Sequence, residues 1–160
     1  MRLVAWFAVF FLTPITSLCE ASNTGLMAGT AKVDITPPVG RQLWGQASRI
    51  GPSTGMLDAL YARVLVLKSA DTSLAIVALD LGRTFGLEQM DDVRARVKVQ
   101  AGIKHVIFSA THTHTGPTLL DQQFVEPGMN RWEPRCLDAI VDAITRASSA
   151  VVPCRLGAGK

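Results

Sequence analysis

Four stretches of the chain have the apolar and polar patterns of β-strands. Residues 29–35 alternate small or apolar with polar side chains, as a half-buried strand does, and a proline pair ends the pattern. Residues 60–69 and 73–81 are rich in β-branched side chains and are separated by three residues, which predicts a hairpin. The run 73–81 is nearly continuous in apolar residues, a pattern typical of a strand covered on both faces. Residues 105–110 form a short fourth strand.

Two longer stretches repeat their apolar residues at helical spacing. In residues 85–101 the apolar positions fall three or four apart, and Gly102 stands where a helix ends. Residues 132–150 show the same spacing, and a further strand begins after them. Strand, helix and strand in succession predict a right-handed parallel crossover. We therefore predict an α/β fold, a mixed sheet with covering helices. Because the sequence stops just after a strand, we expect it to be the incomplete front part of a larger domain.

A long segment, residues 41–57, is rich in Gly, Ser, Gln and Pro and is predicted to be a loop. Loops of this length in a compact domain are more often functional than idle. Trp44 in this loop and Trp132 are candidates to line an apolar groove, and ordinary packing is the alternative interpretation.

The composition describes a globular chain. The 160 residues are 48% apolar and 18% charged, which argues against disorder. The net charge is +3, and the basic residues are interspersed with acids, so nucleic acid is not an expected partner.

The N-terminus is predicted to direct export. Residues 1–21 contain one Arg, an apolar run too short to span a bilayer, a proline and then small residues, as secretory signal peptides do. We expect a secreted or periplasmic protein with a linker at residues 22–28 and a catalytic part at residues 29–160. Cleavage leaves Cys136 and Cys154, which either form a disulfide or stay as separate thiols.

The motif "THTHTGP" follows the strand 105–110 and carries the main candidate chemistry. In open α/β sheets, ligands bind beyond the carboxyl ends of parallel strands. If the motif stays extended, His112 and His114 point to the same side, with Cα atoms about 6.5 to 7 Å apart. Two neutral imidazoles suit zinc, which lowers the pKa of a bound water. Thr111, Thr113 and Thr115 are candidates for the hydrogen bonds that orient metal-bound imidazoles.

The residues beside the motif have other predicted roles. Gly116 and Pro117 turn the chain sharply and allow a substrate to approach closely. His105 lies at the other end of the strand and is predicted to be an ordinary structural residue.

Asp80 ends the strand 73–81, so its carboxylate is expected at the same sheet edge as the histidines if the two strands are parallel. It either faces the substrate or supports the site, and the alternative is that it caps loop amides or the next helix. Asp34 is predicted to organise the following turn, and Asp58 to pair with Arg63.

Four segments in this order and at these intervals carry a resemblance. "AGTAKVDITPPVG", "LDALYARVLVL", "AIVALDL" and "GIKHVIFSATHTHTGP" resemble the N-terminal catalytic domain of the neutral/alkaline non-lysosomal ceramidase family over about residues 28–160. The histidine motif is the most specific part of this likeness.

The resemblance implies a zinc amidase that hydrolyses the N-acyl bond of ceramide to sphingosine and a fatty acid. It implies that His112 is a zinc ligand and that His114 lies beside the metal and assists or orients the substrate. It also implies a lipid partner, contact with a membrane surface, and further ligands from residues much farther along a longer chain. We therefore expect the 160-residue chain alone to be inactive. The alternative is an exported binding or structural protein that keeps the fold without catalysis.

Overall fold

The computed structural model describes residues 25–120 and 131–157, and the predicted signal peptide lies outside them. The described residues form five strands and two helices. In chain order they are β1 (Met27–Asp34), β2 (Tyr61–Ser69), β3 (Thr72–Leu79), α1 (Leu87–Ala101), β4 (His105–Ala110), α2 (Glu133–Ser149) and β5 (Val152–Pro153). The predicted order of strands and helices is confirmed.

The strands form one mixed sheet in the order β4-β3-β2-β1-β5. The pairs β1/β2 and β2/β3 are antiparallel, and the predicted hairpin connects β2 to β3. β3 and β4 are parallel, in a register that pairs Leu79 with Ala110. Both strands therefore end at the same edge, as the crossover prediction requires.

The hydrophobic core lies on one face of the sheet. Alternate residues of the central strands are fully buried there, and both helices contribute to the same core. Helix α2 is amphipathic and buries Ile140, Val141 and Ile144 completely. Helix α1 buries Val93 and Val97, and the two helices are joined by a hydrogen bond from Ser148 Oγ to the Ala101 carbonyl (3.1 Å).

The opposite face of the sheet corrects one prediction. The apolar run in β3 was expected to be covered on both sides, but its residues alternate between buried and partly exposed. Leu74 and Ile76 lie on the second face, where the neighbouring Ile107 is 52% exposed. Within the described residues, helices cover only the first face, so a continuous apolar run did not distinguish one covered face from two.

The ends of the elements follow local chemistry. Gly102 ends α1 in the left-handed conformation (φ 65°), and its N–H donates to the Val97 carbonyl. β1 begins at Met27, inside the predicted linker 22–28, because Met27 and Ala28 pair with both β2 and β5. No helix in the described residues is long and apolar enough to cross a membrane.

The two described cysteines are free thiols. Cys136 is buried in α2, and Cys154 follows β5 and is partly exposed. Burial, with a smaller contribution from the nearby Glu133 carboxylate, raises the pKa of the Cys136 thiol strongly. Of the two alternatives left open by the sequence, the structure has the unpaired one.

Candidate functional site

The candidate site lies where β3 and β4 end. Beyond the last paired residues, the Thr111 N–H donates to the Leu79 carbonyl (2.9 Å) and the Thr113 N–H donates to the Leu81 carbonyl (3.2 Å). These bonds hold the two chain segments side by side past the regular sheet. His112 lies between them with a left-handed backbone (φ 62°), so the motif is not extended as the strand-based expectation assumed.

The two imidazoles nevertheless converge. Their ring centroids are 5.0 Å apart, and both residues are exposed. The indole of Trp44 contacts both rings edge to face, with centroid distances of 4.9 Å to His112 and 5.1 Å to His114. Three aromatic rings therefore form a nearly equilateral triangle, which we call the ring cluster (Trp44, His112 and His114).

Two glycines allow this close approach. A Cβ on Gly82 would lie 2.1 Å from Trp44 Cε3, and a Cβ on Gly45 would lie 2.6 Å from His114 Cγ. Gly45 also has a left-handed backbone (φ 94°), which side-chain-bearing residues adopt at a cost. The chain thus lacks side chains at the two positions where the ring cluster presses on the backbone.

A backbone carbonyl orients the first imidazole. His112 Nδ1 lies 3.0 Å from the Gly82 carbonyl oxygen, and because a carbonyl only accepts, Nδ1 carries the hydrogen of this bond. In the neutral ring, Nε2 then carries the free lone pair that a metal ligand needs. The sequence prediction gave this orienting role to the threonines, but the orienting partner of His112 is the Gly82 carbonyl.

The threonines have different surroundings. Thr111, Thr113 and Thr115 line a cavity of about 540 Å³, of which neither histidine is a lining residue. The Thr113 and Thr115 hydroxyls lie 3.3 Å apart and are hydrogen-bonded to each other. The rest of the wall comes mainly from the long loop and from the residues on either side of it. It combines apolar side chains with the charged Arg49, Asp58 and Asp80, and the apolar ones include Pro37, Val39, Leu43, Met56, Leu57, Leu60 and Pro117. Residues of one motif thus alternate between the ring cluster and a groove of ligand-binding size.

Gly116 and Pro117 are buried and join the motif to the long loop. The Trp44 N–H donates to the Gly116 carbonyl (2.9 Å), and Leu43 and Pro117 form an isolated antiparallel bridge. The chain turns at His114 and Thr115 rather than at the predicted Gly116 and Pro117. The contact of Gly116 and Pro117 with the loop holds the backbone of Trp44 against the motif.

Asp80 reaches the predicted edge but is engaged by protein groups. Its carboxylate accepts from Arg63 Nη1 (2.6 and 2.7 Å) and from the Tyr61 N–H (3.0 Å). It also lines the 540 Å³ cavity. The structure does not bring Asp80 into the ring cluster, and the amide-capping alternative describes its contacts best.

The predictions for the other two aspartates have different outcomes. The Thr36 N–H donates to Asp34 Oδ1 (2.7 Å), which confirms the predicted turn. Hydrogen bonds from the Thr36 side chain and backbone lower the pKa of Asp34. The predicted pairing of Asp58 with Arg63 is wrong, because Arg63 is bonded to Asp80, which lies just past the end of β3 and two residues beyond the position opposite Arg63.

The ring cluster provides part of a metal site. Two imidazoles match the ligand preference of zinc, and the lone pair of His112 Nε2 is unconstrained by its Nδ1 bond. Within residues 25–120 and 131–157, however, no three His, Cys, Asp or Glu side chains are grouped so that they could hold a metal ion.

The sequence did not identify Trp44 as the third ring: its loop position made it a candidate to line an apolar groove, with ordinary packing as the alternative. It also missed the ion pair of Arg41 with Glu133, which lies behind the site at the start of α2. The signals available were a Trp in a glycine-rich loop and a Glu directly before a proline at a helix start. Neither signal indicates a tertiary partner.

Two solved structures share this fold. No protein-family model and no curated protein matches the chain. The chain is similar to a neutral ceramidase from Pseudomonas aeruginosa, with a TM-score of 0.63, 27% identity, and coverage of 81% of this chain and 22% of that chain. It is also similar to a ceramidase complexed with C2, with a TM-score of 0.57, 25% identity and the same coverage of 81% and 22%. The fold is therefore ceramidase-like, and the chain spans about a fifth of the length of these proteins.

Proposed function

We propose that this chain is part of a zinc-dependent amide hydrolase that acts on ceramide or another N-acylated lipid. The observation that carries the proposal is the ring cluster at the carboxyl edge of β3 and β4, where the Gly82 carbonyl fixes Nδ1 of His112 and leaves Nε2 for a metal. The likeness to two ceramidase structures supports the same reaction class.

In this proposal His112 is a metal ligand through Nε2. Zinc, when bound, supplies a water of lowered pKa and a positive charge that polarises the amide carbonyl. His114, whose ring lies 5.0 Å from that of His112, is placed to hydrogen-bond the substrate or to hold a proton for the leaving amine. The remaining ligands lie outside the ring cluster, because residues 25–120 and 131–157 offer no group of three such side chains. In this proposal they come from a longer chain, and the 160 residues alone are expected to be inactive.

The 540 Å³ cavity is the proposed binding place for the apolar part of the substrate. Its walls combine aliphatic side chains with the hydroxyls of Thr111, Thr113 and Thr115 and with charged groups such as Asp80, which suits a lipid that carries polar groups beside its apolar chains. Because these threonines alternate with the histidines, a lipid held there lies against the segment that presents the imidazoles. Gly116 keeps this segment close to the sheet edge, where a Cβ would approach Thr113 Cγ2 to 3.2 Å.

We further propose a secreted or periplasmic location, on the basis of residues 1–21 alone. Contact with a membrane surface follows as an expectation from the lipid substrate.

The test compares His112→Ala with His105→Ala in the full-length protein. His105 is also exposed, but it begins β4 and lies at the opposite end of the strand. We expect His112→Ala to weaken zinc binding by more than about 10- to 100-fold, the range lost when only an orienting partner is removed. Release of fatty acid from ceramide should disappear in the same variant.

Metal content by atomic absorption and fatty-acid release distinguish the outcomes. Full hydrolysis by a metal-free preparation, or by His112→Ala, would contradict the proposal. A folded full-length protein without zinc or hydrolysis would favour the exported non-catalytic protein. His105→Ala should retain both zinc and activity.

A further inference from the structure

Glu133 is a buried carboxylate at the start of α2, outside the ring cluster. The residue is 4% exposed, and its Oε1 is hydrogen-bonded by the Arg41 guanidinium and by the Leu120 N–H (3.2 Å). Removing a carboxylate from water costs several kcal/mol, which a good partner offsets only in part. A residue of this kind therefore needs a physical explanation beyond helix formation.

Stability is a weak explanation for this ion pair. Within residues 25–120 and 131–157 only one carboxylate oxygen is engaged, because Oε2 is buried and has no hydrogen-bond partner among them. An unsatisfied buried polar atom costs about 1–3 kcal/mol, so the pair is far from an optimal stabilising contact. Buried ion pairs with incomplete partners are better explained where they fix one arrangement of the chain among several.

The arrangement that Glu133 fixes is a short two-segment ladder. Its partners are at the far ends of residues 41–44 and 116–120, which pair with each other. The Thr118 N–H donates to the Gln42 carbonyl (2.8 Å), and the Trp44 N–H donates to the Gly116 carbonyl (2.9 Å). We call these two segments the ladder.

The other end of the ladder is the ring cluster. Trp44 ends the first segment, and His114 lies two residues before the second. Glu133 thus holds the ladder at one end while the indole contacts both imidazoles at the other. A change at Glu133 can reach the histidines through a few hydrogen-bonded residues.

Aromatic packing keeps the Glu133 end rigid. The Arg41 guanidinium lies 5.7 Å from the ring centre of Trp132, and Phe85 packs on the same indole at 6.4 Å. The side chains of Arg41 and Glu133 are 11% and 5% exposed, so solvent does not screen their interaction. The position of residue 41 is consequently well defined relative to α2.

We propose that Glu133 is a positioning residue, which through Arg41 and the Leu120 amide holds Trp44 against the imidazoles of His112 and His114. This inference deepens the proposed hydrolase site and rests on it for its functional meaning. Its physical content is the geometry of three rings, which is measurable without metal or substrate.

The experiment measures ring-current shifts by NMR in the metal-free protein. The Trp44 indole is close enough to shift the imidazole protons of His112 and His114, and Trp44→Leu defines the spectrum without that shift. In Glu133→Ala we expect most of the ring-current shift of the imidazole protons to be lost at both histidines. Glu133→Gln keeps the side-chain volume and an acceptor oxygen. This variant should therefore fold and lose only part of the ring-current shift.

Asp138→Asn is the matched control. Asp138 is on the same helix, but its side chain is 62% exposed and forms an ion pair with Arg96 of α1. It should leave the imidazole spectrum unchanged. If both Glu133 variants lower the melting temperature but retain the full ring-current shift of the imidazole protons, Glu133 is only structural and the inference is overturned.

These readouts separate the inference from the function proposed above. Loss of the ring-current shift in the Glu133 variants supports the positioning role even if the protein binds no zinc. Conversely, if the protein is a zinc amidase but its imidazole spectrum is unchanged in the Glu133 variants, the proposed function stands and the positioning role is refuted.

Discussion

Gly82→Ala tests the packing of the ring cluster most directly. The new Cβ would lie 2.1 Å from Trp44 Cε3, 2.6 Å from Cδ2 and 2.8 Å from Cζ3. Carbon atoms pack at about 3.5 Å or more, so the indole has to move by about 1.4 Å. The Gly82 backbone does not have a positive φ, and alanine therefore adds no conformational strain there.

The magnitude follows from how firmly Trp44 is held. Its backbone N–H is bonded to the Gly116 carbonyl, and both imidazoles lie against its partly exposed ring, so a shift of the indole disturbs the contacts of the ring cluster. Overpacking of this kind typically costs about 1–3 kcal/mol, and we expect the free energy of unfolding to fall by about 2–3 kcal/mol. Urea denaturation followed by circular dichroism measures it.

A double-mutant cycle decides whether the clash is the cause. Combined with Trp44→Leu, Gly82→Ala should cost less than about 1 kcal/mol, because the atoms that it displaces are gone. Gly55→Ala is the control, since nothing lies within 4 Å of its added Cβ, and it should change stability by no more than about 0.5 kcal/mol. An equal cost of Gly82→Ala with and without the indole would refute the packing argument.

Two other substitutions and one chemical modification test the core, the turn after β1 and the thiols. Ile140→Ala removes a fully buried side chain of α2 and should lower the free energy of unfolding by about 2–5 kcal/mol in urea titrations. Iodoacetamide should modify Cys154 in the folded protein, whereas the buried Cys136 thiol, whose pKa is raised, should react only after denaturation, as peptide mapping would show. Asp34→Asn should destabilise the protein near neutral pH: the native pKa of Asp34 lies below its ordinary 3.8, so its charge stabilises the fold above that value. As pH falls through the native pKa this contribution is lost, so the unfolding midpoints of Asp34→Asn and the parent should converge in acid, and a constant gap would contradict the assignment.

Periodic patterns predicted the elements of this fold because they report local burial. β4 and the end of α1 at Gly102 coincide with the prediction, since a short apolar strand and a left-handed glycine are both local features. The same local basis explains the error in β3. Its apolar run shows that both faces tolerate apolar residues, but it does not show what covers each face within the described chain.

The candidate site was only partly predictable for a related reason. The position of His112 and His114 follows from strand order, which the sequence indicates well. Trp44 reaches them through hydrogen bonds between residues about 70 positions apart in sequence, and no periodicity encodes such a pairing. Glu133 has the sequence signature of a helix start, so its buried contact with Arg41 is visible only in the tertiary structure.

The contacts of the ring cluster also explain the unusual backbone conformation of His112. A left-handed conformation costs a residue with a side chain about 1–2 kcal/mol, and among the described residues only Ala70 in the hairpin turn shares it outside glycine. The Nδ1 bond to the Gly82 carbonyl and the edge contact with Trp44 act on the ring that this conformation presents. Strained residues persist where surrounding contacts over-determine them, and such positions concentrate at functional sites. The loop is therefore held in a form that local preferences disfavour, and the result of that form is an exposed pair of imidazoles with one nitrogen oriented for a ligand.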